Sequence, residues 1–361
     1  MAASDAAEGV GDARLLTISA EPYNAETLLV NHRDVVTPRA SFYKRNHFAI
    51  PHIAADDWRL QITGNVARPA ELTLDAVRAL PSRTLLVTLE CAGNGRAYME
   101  REAEGEPWQY GAVSTAEWTG TPLHEALAAV GVGDGTREML FTGADAGHVA
   151  AAGTSLSFVR SLPLEQALHP DTLLAYAMNG EALSAEHGFP LRLIVPGWYG
   201  MAAVKWLTRI ESITEPFRGF YQADRYIMAH PERGETTTTP LTTMLARSLV
   251  TYPAEDARLP AGEHIVRGLA WSGAATVSRV EIAIGDGTDE EGAWQPAEFT
   301  SGAEHYAWRQ WEYRWQAQAR GPFTLRCRAF DALGNTQPVT ADWNRLGYAN
   351  NAIQHVRVEV V

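Results

Sequence analysis

Cysteine is almost missing from this chain, whose 361 residues hold only Cys91 and Cys327. Set far apart, the two build neither a disulfide framework nor the paired spacing of a zinc site, so each must be explained singly. Long apolar runs are missing as well, and nothing approaches the roughly 20 residues that span a bilayer. The first sixteen residues carry no twin arginine and no apolar signal core. They read as a flexible tail on a cytoplasmic chain, or on a periplasmic one if a signal peptide has been removed. Positive charge is in deficit, with 30 Lys and Arg against 43 Asp and Glu and a net charge of −13. That field disfavours nucleic acid and anionic membranes, so neither is expected as a partner, and a local cluster of cations becomes informative. No internal repeat occurs, and low complexity is confined to one threonine run.

What is present suits packed cores: 46% of residues are apolar and 20% charged, and the length favours two domains. In the first half the alternation from Trp58 to Gly64 predicts a strand, 74–80 a short helix stopped by Pro81, and the apolar, β-rich run 84–90 an interior strand. Helical spacing follows over 122–130, then a strand over 138–142 leading into a polar turn, Gly143 to Gly147. Another interior strand is predicted over 190–196. Helices and strands mix without strict alternation, which favours α+β. The polar, proline-terminated stretch Gly234 to Pro240 reads as a linker. The chain therefore divides into a tail (1–16), a first domain (17–234) and a second (235–361). In the second, strands are predicted over 264–269, 277–284, 313–318, 323–330 and 355–361. With turns at Gly285–Gly287 and Gly334–Asn335 and few helix signals, they indicate a β-sandwich.

Chemistry concentrates after the strand 84–90, at Cys91-Ala-Gly-Asn-Gly-Arg96. A lone cysteine is more often a small buried hydrophobe than a ligand. Here glycines let a bulky group approach, and Arg96 favours the thiolate, a soft ligand for transition metals. Cys327 falls in phase with Phe323 and Leu325 on a predicted strand and reads as core packing, as do Trp308, Trp311 and Trp315.

The stretch Thr88–Arg96 resembles the signature loop of the sulfite oxidase family. The likeness extends to Phe42–His47, Trp108–Trp118, His187–Arg192, Val204–Trp206, Tyr306–Trp311, Arg328–Asp331 and Trp343–Asn344, nearly the whole chain in order. The resemblance implies a sulfite-oxidase-type molybdopterin-binding domain followed by an all-β immunoglobulin-like dimerisation domain, hence a homodimer. It implies molybdenum bound by Cys91 and the pyranopterin dithiolene, with no haem in this chain. Cofactor contacts carried over are Tyr43, Lys44, Arg45, Asn46, His47, Cys91, Asp145, His187, Arg192, Ala203, Val204 and Lys205. Arg45, Arg96, Trp108 and Tyr226 match the catalytic positions.

The implied reaction oxidises sulfite, or a similar small oxyanion, with electrons leaving to an external acceptor such as a cytochrome or oxygen. Forked arginine donors suit oxyanions of this kind. One departure matters: where the family carries arginine in its Trp-Asn-x-Arg-Gly element, this chain has Leu346, as nitrate reductases have an apolar residue. Arg345 is adjacent but out of register, so reduction of nitrate or another oxyanion at the same centre stays open. A cofactor-free binding protein of the same fold is the remaining alternative.

Overall fold

A computed structural model describes residues 14–232, 235–286 and 293–361. The tail reading for 1–13, the boundary at Gly234 and the turn residue Gly287 lie outside them. Among the described residues the α-helices are short, the longest being the eight residues Leu123–Val130. The α+β expectation is therefore corrected toward a mostly β protein.

The first domain is built on two five-stranded sheets. One runs Glu181–Ala182, Leu173–Met178, Val113–Pro122, Arg83–Glu90, with Arg192–Ile194 also pairing with Leu173–Met178. The other runs Ala70–Leu72, Leu60–Gly64, Leu207–Ile213, Glu138–Val149, Thr154–Pro163. The strand Arg83–Glu90 starts exposed and ends buried, so its apolar half carries the chain into the interior and delivers Cys91 there. Pro122, at φ −54° and ψ 129°, ends the strand Val113–Pro122 and stands at the N-cap of the helix Leu123–Val130. Leu123, Ala126, Leu127 and Val130 form its buried stripe.

Two sequence expectations fail for identifiable reasons. Gly143 to Gly147 is not a turn but part of the strand Glu138–Val149, whose pairing with Thr154–Pro163 shifts register between Thr142 and Ala146. The glycine serves close approach here: a Cβ on Gly143 would sit 2.5 Å from Asp145 Oδ1 and 2.8 Å from the Lys205 carbonyl. The supposed linker is likewise half of an antiparallel hairpin, Ile227–Glu232 with Glu235–Pro240. Its threonines, assigned to a linker from the sequence, are good strand formers once paired.

The second domain is a sandwich. A four-stranded sheet (Arg247–Tyr252, Gly262–Trp271, Arg309–Ala317, Glu298–Phe299) faces a five-stranded one (Ala257–Leu259, Gln354–Val360, Gly321–Asp331, Val277–Gly285, Gln295–Pro296). Cys327, Trp311 and Trp315 are buried in the core between them. A larger cluster runs across both domains, joining Leu193 and Leu207 to Leu249, Leu269, Trp271, Trp308 and Leu346. At its centre Glu90 and Arg247 form an ion pair of 2.8 Å whose side chains are each 2% exposed. Asn94 Nδ2 and Trp271 Nε1 donate to the same carboxylate at 3.0 and 2.9 Å. Nearby, the buried strand Asn24–Thr27 presents Glu26, which accepts from the backbone of Gln109 and Gly111 at 3.2 Å each.

Two outcomes follow from these anchors. Arg247→Met should lower unfolding free energy by about 3–5 kcal/mol, because it leaves a buried carboxylate without its counter-charge; chemical denaturation measures it, and a loss near zero would show that the pair does not join the domains. Burial pushes the Glu26 carboxyl up to about 7 against the two backbone donors that pull it down. Between the ordinary value of 4.5 and about 7 the folded chain thus holds a proton that the unfolded chain has released, and stability falls as pH rises. The cost at the upper end is about 3 kcal/mol. Glu26→Gln should flatten the pH dependence of Tm across this window, and unchanged slopes would place that proton elsewhere.

Candidate functional site

Most of the residues singled out from the sequence meet around one cavity. Tyr43, Arg45, Asn46, His47, Cys91, Asp145, His187, Arg192, Ala203, Lys205 and Tyr226 all line it. With its open mouth it encloses about 670 Å³ free of protein atoms. Four others lie outside the lining. Lys44 instead pairs with Glu186, which does line the cavity, at 3.3 Å. Val204 is buried and receives the Leu193 amide on its carbonyl at 2.8 Å. Trp108 is fully buried in the apolar cluster that includes Cys91. Arg96 occupies an adjacent slot, where Nη1 and Nε donate to the carbonyls of Glu106 and Leu346 at 2.6 and 2.8 Å.

Local structure explains how each side chain reaches this place. The Cys91 amide donates to Ala112 at 2.8 Å, so the loop leaves its strand still tied to the neighbouring one. The register shift after Thr142 carries Asp145 out of the ladder toward Lys205. Lys205 precedes Trp206, whose φ of +50° puts a bulky residue in the left-handed region, a conformation that persists only where surroundings enforce it. The indole Nε1–H donating to the Ala185 carbonyl at 2.8 Å is part of that enforcement. Lys205 Nζ then reaches the Asn46 side chain and, at 2.9 Å, the Glu186 carbonyl. Tyr226 also has positive φ, +51°, and its hydroxyl meets His47 Nε2 at 2.6 Å.

Electrostatically the cavity is cationic inside an acidic protein. Burial raises the Cys91 thiol pKa, and Arg45 and Arg96 oppose that rise. Burial, reinforced by Arg45 and Lys205, holds His47 well below its ordinary range; burial with Lys205 and Arg192 holds His187 at about 3. Both imidazoles are therefore neutral near pH 7. Burial lowers Lys205 and raises Asp145, each partly offset by the other. Buried polar atoms without a protein partner include Asp145 Oδ1, an acceptor, and Arg192 Nε, a donor. Such atoms are costly unless a bound group meets them. A soft sulfur donor on the wall, surplus cations around it and an unmet acceptor and donor suit a large anionic group that carries a thiophilic metal.

Sequence reasoning missed several neighbours. Phe42, Phe158, Met201 and Trp206 are among the further residues of the lining. Arg160 is 1% exposed and stands 5.7 Å over the Tyr226 ring. Its signal was readable as one charge within the apolar alternation Phe158-Val-Arg-Ser-Leu162.

Comparison with known proteins places these features in a family. A model described as the oxidoreductase molybdopterin binding domain matches residues 47–221, and one for the Mo-co oxidoreductase dimerisation domain matches 239–361. The chain is 34% identical over 367 residues to the mitochondrial sulfite oxidase of Rattus norvegicus, covering 95% of this chain and 65% of that protein. With the sulfite oxidase of Gallus gallus it shares 34% over 352 residues, covering 92% and 75% respectively. Identity to nitrate reductase (NADH) 1 of Nicotiana tabacum is 32% over 373 residues, or 94% of this chain and 40% of that one. Among solved structures, the sulfane dehydrogenase SoxCD of Paracoccus pantotrophus superposes with a TM-score of 0.84 at 28% identity, over 98% of this chain and 92% of that one.

Proposed function

Because this chain belongs to the sulfite oxidase family of molybdopterin-binding oxidoreductases, we propose that it oxidises sulfite to sulfate at a molybdenum centre held by Cys91 and passes the electrons to an external acceptor. The observation that carries the reading is the opening of Cys91 onto a cavity lined by Arg45, His47, Arg192, Lys205 and Tyr226. The unmet Asp145 and Arg192 atoms are the chain's own support for a bound pterin. We read the C-terminal sandwich as immunoglobulin-like and as the surface of a homodimer.

Each residue then has a task that its surroundings permit. The cofactor, when bound, supplies the two-electron redox chemistry. Cys91 releases its proton on ligation, which burial alone resists and the adjacent guanidinium groups favour. Arg192, Lys205 and neutral His187 would hold the anionic end of the cofactor, and Asp145 would offer it an acceptor. Arg45 and Arg96 bring buried positive charge to the wall where the oxyanion binds, ahead of any change in its charge. Tyr226 and His47, linked at 2.6 Å, orient one another beside Cys91. Phe42, Phe158 and Met201 make part of the lining apolar.

Reduction of nitrate or a related oxyanion is the second reading, favoured by Leu346 and by the 32% identity to a nitrate reductase. Steady-state turnover of sulfite with an artificial acceptor, set against nitrate with a reduced dye, separates the two. Sulfite turnover by molybdenum-replete protein is expected, and its absence rejects the leading reading. Cys91→Ser should bring turnover to background with loss of bound molybdenum, whereas Cys327→Ala, emptying a sulfur's space in the sandwich core, should keep turnover and cost about 1 kcal/mol of stability. Equal loss of turnover in two folded variants would contradict the assignment of Cys91.

A further inference from the structure

The segment 344–350 of the second domain is fastened to the Cys91 loop at three points. The Leu346 carbonyl accepts from Arg96 Nε at 2.8 Å, the Ala349 amide donates to the Ala92 carbonyl at 2.8 Å, and Asn350 Nδ2 donates to the Gly95 carbonyl at 2.7 Å. Within it, Leu346 is 4% exposed and packs into the shared core. Arg345 turns to the surface and pairs with Glu104 at 2.6 Å. Neither residue brings a cation to the cavity, so the position where the family carries arginine contributes no charge here.

Tyr348 comes next in this segment, and its surroundings are those of the site. The Asn344 side chain grips its backbone from both sides, accepting from the Tyr348 amide at 2.9 Å and donating to its carbonyl at 2.8 Å. The ring stacks on Tyr226, with centroids 5.0 Å apart and planes 24° from parallel. The Arg96 guanidinium lies 5.3 Å from the Tyr348 centroid, and Arg160 lies 5.7 Å from that of Tyr226. These contacts link Arg160, Tyr226, Tyr348 and Arg96, two phenols and two buried guanidinium groups; Tyr226 alone of the four lines the cavity, and Tyr348 stands directly behind it, close enough to Arg45 and Cys91 for their charges to act on its hydroxyl. Burial raises the Tyr348 pKa against Arg96 and Arg45, which lower it, so its hydroxyl keeps its proton.

We propose that Tyr348 is a specificity-determining residue of this site, its hydroxyl donating to the bound oxyanion in the role that a guanidinium from position 346 would otherwise fill. The inference rests on the sulfite reading and says how this chain meets its demand for donors. A phenol supplies one hydrogen bond and no charge where a guanidinium offers a charged fork, so the pocket grips its anion with one positive charge fewer and a single donor at this place.

Tyr348→Phe isolates the hydroxyl, because the phenyl ring preserves both the stack on Tyr226 and the contact with Arg96. In the metal-replete enzyme, sulfate is titrated calorimetrically and sulfite turnover is measured in parallel. The expected result is a sulfate Kd weakened about tenfold and a sulfite KM raised by a similar factor. The kcat should stay within about twofold and Tm should not move, a split that a packing role would not produce. Unchanged Kd and KM in an enzyme that oxidises sulfite would overturn the proposal and leave the sulfite reading intact. A fall in Tm with an unchanged Kd would make Tyr348 a structural residue and overturn it as well. If the unsubstituted enzyme neither binds sulfate nor oxidises sulfite, the proposal falls together with the reading beneath it.

Discussion

The buried contact between Glu90 and Arg247 is the constraint on which the rest of the molecule turns. Glu90 immediately precedes Cys91, and Arg247 opens the first strand of the sandwich. A carboxylate at this depth is tolerable only with its counter-charge and additional donors in place. Arg247, Asn94 and Trp271 provide them, and Arg247 also donates to the Asn94 carbonyl at 3.1 Å. Because the donors come from the cysteine loop and from the other domain, the ladder cannot be satisfied unless both are in place. Apolar burial would join the domains in many relative positions; the ion pair selects one, and so determines where the sulfur of Cys91 stands.

A second constraint is charge. Arg45, Arg192 and Lys205 line the cavity against Asp145 and Glu186, with Arg96 and Arg160 close behind. Holding so many cations in a dry interior is unfavourable by itself. The chain relieves part of the strain by keeping His47 and His187 neutral and by placing ring faces under Arg96, Arg160 and Arg192. What remains is a field waiting for an anion, which explains why a protein of net charge −13 concentrates cations at one internal place.

Much of this could be read in the sequence because the chemistry is local. The strand ending at Glu90 and the glycine-flanked cysteine after it are contiguous, and periodicity found five sandwich strands in nearly their observed positions while missing four at the sheet edges, Arg247–Tyr252, Ala257–Leu259, Gln295–Pro296 and Glu298–Phe299. Residues 143–147 and 235–240 came out differently because glycine and threonine signals are ambiguous: the same types serve a register shift or a paired strand once the adjacent strand of the hairpin, 154–163 or 227–232, is in place. Arg160 and Tyr348 escaped for a related reason. Each sits outside the contiguous motifs, and its relevance arises only when sheet pairing and domain packing bring it to Tyr226.

The contribution of the second domain therefore cannot be reduced to pairing with another copy of itself. Its segment 344–350 supplies the carbonyl that orients Arg96 and the ring that backs Tyr226. Gly347, at φ +59°, permits this approach, since a Cβ there would lie 2.7 Å from Arg96 Cγ. A fragment ending before Arg247 would keep Cys91 but lose the charge that anchors its loop, the acceptor that aims Arg96 and the ring that stacks on Tyr226. The sulfur of Cys91 and the ring that stacks on Tyr226 thus come from different domains, and the geometry between them is as exact as the interface that joins those domains.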